Sequence, residues 1–190
     1  STIAHAITLI PFILAFNFLS SSEAQKNFLR AYMIAGLIYS VPMLLEVRLA
    51  PQFSYWVYGY FVELFGQQIR FGGYRPVVFM GHGLIAAFFL MTTALSSAIL
   101  WRAEAAQNRL LYAYAMVYLL IVLVLSKTVG PLLLAALFLP IILFTSPKIK
   151  GWAIMMSAVV VLTYPALRSA DVIPTERLVN YASLIQEQRA

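Results

Sequence analysis

Two arginines flank a Gly-Gly pivot in the segment Gln67-Gln68-Ile69-Arg70-Phe71-Gly72-Gly73-Tyr74-Arg75-Pro76. Glycines let a backbone approach a ligand closely, and proline suits the first turn of a helix. Guanidinium forks beside a helix N-terminus suit a phosphate. For both arginines the competing reading is an interfacial loop whose long side chains reach lipid headgroups. Shortly after, Gly81-His82-Gly83 sets an imidazole between two small residues. If a helix starts at Val77, Arg75 and His82 lie two turns apart on one face, and an ionisable group within a membrane span is a functional candidate. A neutral histidine bonding a neighbouring helix across close-packed glycines fits the same residues. Lys127 sits between Ser126 and Thr128 in a break between two apolar runs. It suits either a phosphate assisted by hydroxyls or an ordinary interfacial turn.

Those residues depend on apolar elements for their placement. Of 190 residues, 62% are hydrophobic and 11% charged, too few charges to coat a soluble domain of this length. The apolar runs predict an all-α fold, a polytopic bundle of about six transmembrane helices forming one membrane domain. The expected spans cover residues 3–19, 29–47, 77–101, 110–125, 131–145 and 152–167, with Pro42 bending the second. Residues 20–30 read as a polar turn, and 48–76 as a long connection. Within that connection, residues 53–65 are crowded with aromatics, which suits a helix in the bilayer interface or a sugar-stacking platform. Glu46 and Arg48, at the foot of the second span, read as interfacial.

The net charge of +6 does not indicate nucleic acid, because the basic residues stand singly at span ends and form no stripe. Their distribution predicts the topology instead. Lys26, Arg30, Arg102, Arg109, Lys148 and Lys150 crowd short loops and belong on the cytoplasmic side. Arg48, Arg70, Arg75, Lys127, Arg168, Arg177 and Arg189 are spread over longer segments on the other side, where they either anchor headgroups or converge on an anion. With no cysteine and only two histidines, His5 and His82, a protein-held metal is not expected, and no cofactor is called for. The chain opens at Ser1 without a basic leader and closes on the polar run Gln186-Glu187-Gln188-Arg189-Ala190, which reads as part of a longer protein.

Three stretches together resemble the O-antigen ligase and polymerase family of bacterial envelope glycosyltransferases. They are Arg75-Pro76-Val77-Val78-Phe79-Met80-Gly81-His82-Gly83-Leu84, the break Leu123-Val124-Leu125-Ser126-Lys127-Thr128-Val129-Gly130, and the polar exit ending Ile185-Gln186-Glu187-Gln188-Arg189-Ala190. The resemblance runs from Tyr74 to Ala190, while the preceding residues match in hydropathy alone. Lys127 stands where the family usually has arginine, which weakens forked phosphate recognition. The resemblance implies a GT-C-like bundle in the bacterial inner membrane, acting on its extracytoplasmic side. It implies metal-independent transfer or polymerisation of a glycan from undecaprenyl diphosphate onto a sugar or lipid acceptor. Arg70, Arg75, Lys127 and Arg189 would then hold the donor diphosphate, with His82 the candidate general base. The alternative is a non-enzymatic transporter or flippase component for a lipid-linked sugar, although the paired halves of many transporters are not evident here.

Overall fold

A computed structural model describes residues 2–50, 52–61, 65–70, 72–104 and 106–169. The chain divides into two compact units, Ser1–Phe144 and Thr145–Ala190. Among the described residues the first unit is helical apart from one small hairpin. Its helices are α1 (Thr2–Phe18), α2 (Ser22–Leu49), α3 (Phe53–Tyr58), α4 (Phe65–Gln68), α5 (Gly83–Ala103), α6 (Ala106–Leu125) and α7 (Val129–Phe144). The second unit contributes α8 (Pro147–Ser169).

Several boundaries differ from the hydropathy reading, each for a local reason. The polar segment expected as a turn after α1 is helical, because Ser21 caps α2 by accepting the Ala24 N–H at 3.2 Å and Glu23 lies in the first turn. Polar residues 22–30 therefore form the opening turns of α2. Lys148 and Lys150, expected in a loop, lie in the opening turns of α8, where Pro147 suits the first helical position. The span expected to start at Val77 begins only at Gly83. Within the long connection, two short strands, β1 (Ile69–Arg70) and β2 (Gly73–Tyr74), form an antiparallel hairpin. Its register pairs Ile69 with Tyr74 and Arg70 with Gly73, and Gly72 supplies a φ of 68° at the turn.

Helix α5 is the axis of the first unit, packed against α2, α6 and α7. Its buried face is built from small side chains, among them Ala86, Ala87, Thr93, Ala94, Ser97 and Ala98, which lets neighbours approach closely. At Gly36 of α2 the approach is so tight that a Cβ would overlap the Thr93 side chain. Hydrogen bonds cross the same interfaces: Tyr32 with Thr92 at 3.0 Å and Ser40 with Tyr118 at 3.0 Å. The outward faces are apolar instead, with Ile34, Ile38, Val41 and Leu45 on α2 and Tyr114, Val117, Ile121 and Val124 on α6 all exposed. Small and polar residues inside with large apolar residues outside is an arrangement stable against lipid, where the surroundings are as apolar as the core. Among the described residues three helices are long and apolar enough to cross a membrane: Ser22–Leu49, Gly83–Ala103 and Asn108–Leu125. Leu9–Phe18 and Val129–Phe144 are shorter apolar helices.

Candidate functional site

Because α2, α5 and α6 alternate in direction, the end of α2, the start of α5 and the end of α6 share one end of the unit. The residue that organises this end is Glu46. Its side chain is fully buried, and its two oxygens accept three backbone N–H groups. Oε1 accepts from Phe53, the first residue of α3, at 3.1 Å, while Oε2 accepts from Val77 and Val78, each at 2.8 Å. A charged acceptor satisfied by several amides is a strong anchor, and a buried carboxylate left without them would be costly. The next amide, Phe79, donates to the Tyr39 hydroxyl at 2.9 Å. Residues 77–82 are thereby held as a tight loop, closed by Met80 N–H to Val77 O at 3.1 Å and His82 N–H to Met80 O at 2.8 Å.

This loop carries strain. Val78 has φ 52° and Gly81 φ 73°. Glycine adopts such angles freely, whereas a β-branched residue there is an outlier that the surroundings must impose. Among the described residues the non-glycine residues at positive φ are Ala50, Val78 and Lys127, all in connections at this same end. Strain of this kind concentrates where a fixed geometry is required.

Arg75 leaves the hairpin with its N–H donated to Gln68 O at 2.7 Å, and its side chain is buried to 6% exposure. Nη2 lies 3.0 Å from Nδ1 of His82. The arginine stem rests on the bare backbone of Gly83, where a Cβ would collide with its Cγ, Cδ and Nε. His82 is not a residue inside a membrane helix, as expected, but the N-cap of α5, in extended conformation, with Nδ1 accepting the Leu84 N–H at 3.0 Å. Two donors, the Leu84 N–H and the Arg75 guanidinium, face Nδ1, which assigns that nitrogen as the acceptor. Arg75 and His82 therefore do meet, across a loop and not along a helix face. The expectation that Arg75 sits at an open helix start is also corrected. The first α5 amides are engaged locally, Leu84 with His82 Nδ1 and Ile85 and Ala86 with the His82 carbonyl. An anion here would be held by side chains more than by the helix end.

Lys127 lies in the turn after α6 with φ 54°, its half-buried side chain bounded by buried Ser126 and Thr128. The Ser126 N–H donates to Val122 O at 2.9 Å, and the Thr128 hydroxyl donates to Ser126 O at 3.1 Å, so the break is a defined turn. Lys127 Nζ lies against Gly73, at a spot any side chain on that residue would fill. The Gly-Gly pair thus has two separate jobs, a turn at Gly72 and space for a cation at Gly73. Arg70 is the cross-strand partner of Gly73, so its backbone is at the same place. Arg70 and Arg75, with His82, therefore belong to one hairpin and the loop that follows it, and Lys127 reaches that hairpin at Gly73. Arg189 and Arg177 lie outside the described residues.

Next to this cluster is an aromatic patch. Phe53 stacks edge-on to Trp56 and Phe79, Tyr58 meets Phe79, and Tyr55 stacks on Phe61 at 5.0 Å. Tyr55, Trp56, Tyr58, Tyr60 and Phe61 are exposed.

Basic residues at the opposite end are engaged structurally. Arg30 forms an ion pair with Glu104 and donates to Tyr112 Oη at 3.2 Å and Asn27 Oδ1 at 2.8 Å, joining α2 to the α5–α6 connection. Arg109 lies over the Trp101 ring at 4.5 Å, and Arg102 donates to the Ile142 carbonyl at 2.7 Å. Among the described residues no group of three His, Asp or Glu side chains is gathered as a metal site.

Glu46, expected at the interface, is instead fully buried, and Gly83, expected to admit a neighbouring helix, admits the Arg75 side chain; Tyr39 is the site residue to which no sequence pattern points. The signal for Glu46 was present, a lone carboxylate within an apolar run, which demands buried partners. Tyr39 and Gly83 acquire their roles only through contacts made by folding. No family model matches the chain, and no curated protein or solved structure matches it.

Proposed function

We propose that this chain belongs to a multi-pass protein of a bacterial inner membrane, a GT-C-like bundle of about six transmembrane helices. It transfers or polymerises a lipid-linked glycan on the extracytoplasmic side. The observation that carries the reading is the convergence of Arg75 and Lys127 on one strained, buried-carboxylate-anchored loop system at one end of the bundle. In this reading that end faces away from the cytoplasm, and its cations contact the diphosphate of an undecaprenyl diphosphate glycan, with Arg70 and Arg189 contributing. The acceptor hydroxyl oxygen attacks the anomeric carbon, the bond from that carbon to the diphosphate oxygen breaks, and the electron pair leaves with the diphosphate. Arg75 and Lys127 stabilise that developing charge. The hydroxyl proton passes to a general base. His82 is the notable candidate by type, yet its Nδ1 already serves the Leu84 amide and Arg75, so its role here is to position Arg75. The apolar outer surface and the exposed aromatics near the site suit the polyprenyl tail and the membrane lipids around it.

The test is glycan transfer by purified full-length protein in detergent, given donor, acceptor and a chelator. Arg75→Ala is expected to abolish product at near-normal membrane abundance, and Arg75→Lys to recover only part, because a point charge does not reproduce a fork. Arg102→Ala at the other end is expected to leave turnover per folded molecule intact. Wild-type turnover in Arg75→Ala would remove the basis of the site. Absence of product, together with Arg75-dependent passage of the donor across sealed vesicles, would assign the site to a transporter.

A further inference from the structure

We propose that Glu46 is a positioning residue, whose buried carboxylate imposes the strained 77–82 loop and so holds Arg75 and His82 in register at the site. The inference deepens the glycan-transfer reading and rests on it only for its consequence in catalysis. Its geometry stands independently.

Glu46 belongs to α2, while the groups it bonds lie between α2 and α5: Phe53 is the first residue of α3, and Val77 and Val78 belong to the loop ahead of α5. One side chain thus ties the start of α3 and the loop ahead of α5 to a helix that packs on both α5 and α6. Val78 is the informative partner. Its φ of 52° is disfavoured for a β-branched residue, yet its N–H is donated to Glu46 Oε2 at 2.8 Å and its side chain is fully buried. Three residues before this turn is Arg75, and four after it is His82. Their 3.0 Å contact requires the chain between them to double back. Without the turn, the extended reach of six intervening residues would carry the pair far apart. The carboxylate is also required chemically. Both oxygens accept from N–H groups, and an amide in the same position would turn one NH2 donor toward another donor.

The measurement is the accessibility of Arg75, read as its rate of modification by phenylglyoxal with peptide mass spectrometry on purified full-length protein in detergent. Glu46→Gln is expected to raise the Arg75 rate about tenfold by releasing the loop. Arg30, at the opposite end, serves as the internal standard and is expected to keep its wild-type rate. Adding Val78→Gly to Glu46→Gln supplies a residue that adopts the turn without strain, and is expected to bring the Arg75 rate back toward wild type. Ser40→Ala removes a buried hydroxyl from the same helix and should not move Arg75. An unchanged Arg75 rate in Glu46→Gln overturns the proposal. A parallel rise at Arg30 also overturns it, because it means general loosening. No ligand enters this measurement, so its failure is distinct from failure of the glycan-transfer reading, which shows as full turnover in Arg75→Ala.

Discussion

Nη2 of Arg75 lies 3.0 Å from Nδ1 of His82, and the same nitrogen caps α5 by accepting the Leu84 N–H. One imidazole nitrogen therefore links the start of the central helix to the buried cation of the site. That dual use makes His82 the residue at which positioning and general-base roles can be separated by mutation. His82→Asn keeps a side-chain acceptor suited to an N-cap and is expected to unfold at nearly the wild-type temperature. His82→Ala is expected to lose about 1 kcal/mol. If the histidine only positions Arg75, His82→Asn retains most turnover per folded molecule. Complete loss of turnover in a well-folded His82→Asn would return the base to this residue.

Gly83 makes room for the arginine stem, so its smallest substitution is informative. Gly83→Ala puts a methyl group onto Arg75 Cγ and Cδ, and the arginine is the part that must move. The expected result is overpacking of about 1–3 kcal/mol with weakened glycan transfer. Wild-type turnover and stability together would show that the arginine does not need this seat. Thermal unfolding and turnover in detergent read the two effects separately.

The crossing of α2 and α5 is close at Gly36. A Cβ at Gly36 would overlap Thr93, whose hydroxyl already bonds the Leu90 carbonyl at 2.9 Å inside its own helix. Gly36→Leu is expected to lower stability by more than about 2 kcal/mol. Gly59→Ala, by contrast, meets open space, and its cost is limited to the left-handed φ of 75°. Equal melting temperatures for Gly36→Leu and wild type would contradict this crossing.

Topology is testable in a cysteine-free chain. Gly73, in the loop expected outside, is a poor reporter because Lys127 occupies the space of its side chain. Tyr60, exposed beside α3, is the better site at the same end, and Ser22 at the start of α2 serves for the other. A membrane-impermeant thiol reagent applied to intact cells should label Tyr60→Cys and spare Ser22→Cys. The reverse pattern would place the Arg75 end in the cytoplasm.

Composition and hydropathy by themselves determined the helical class, the apolar outer surface and the break at Ser126–Thr128, because these depend on local residue type and run length. They also singled out Arg75, His82 and Lys127 as candidates, since charge in an apolar context is visible in one dimension. What folding alone decided was how those residues meet. The expected contact along a continuous helix from Val77 is made by a loop, because Glu46 from α2 captures the Val77 and Val78 amides and delays the helix to Gly83. Lys127 reaches Gly73 only because α6 ends beside the hairpin, over fifty positions away in the chain. Periodicity records which face of a helix is apolar, but a backbone amide carries no mark in the sequence of which distant carboxylate will bind it. Tertiary packing made that choice, since only burial gives a carboxylate a strong enough need for N–H partners to impose a strained turn on valine.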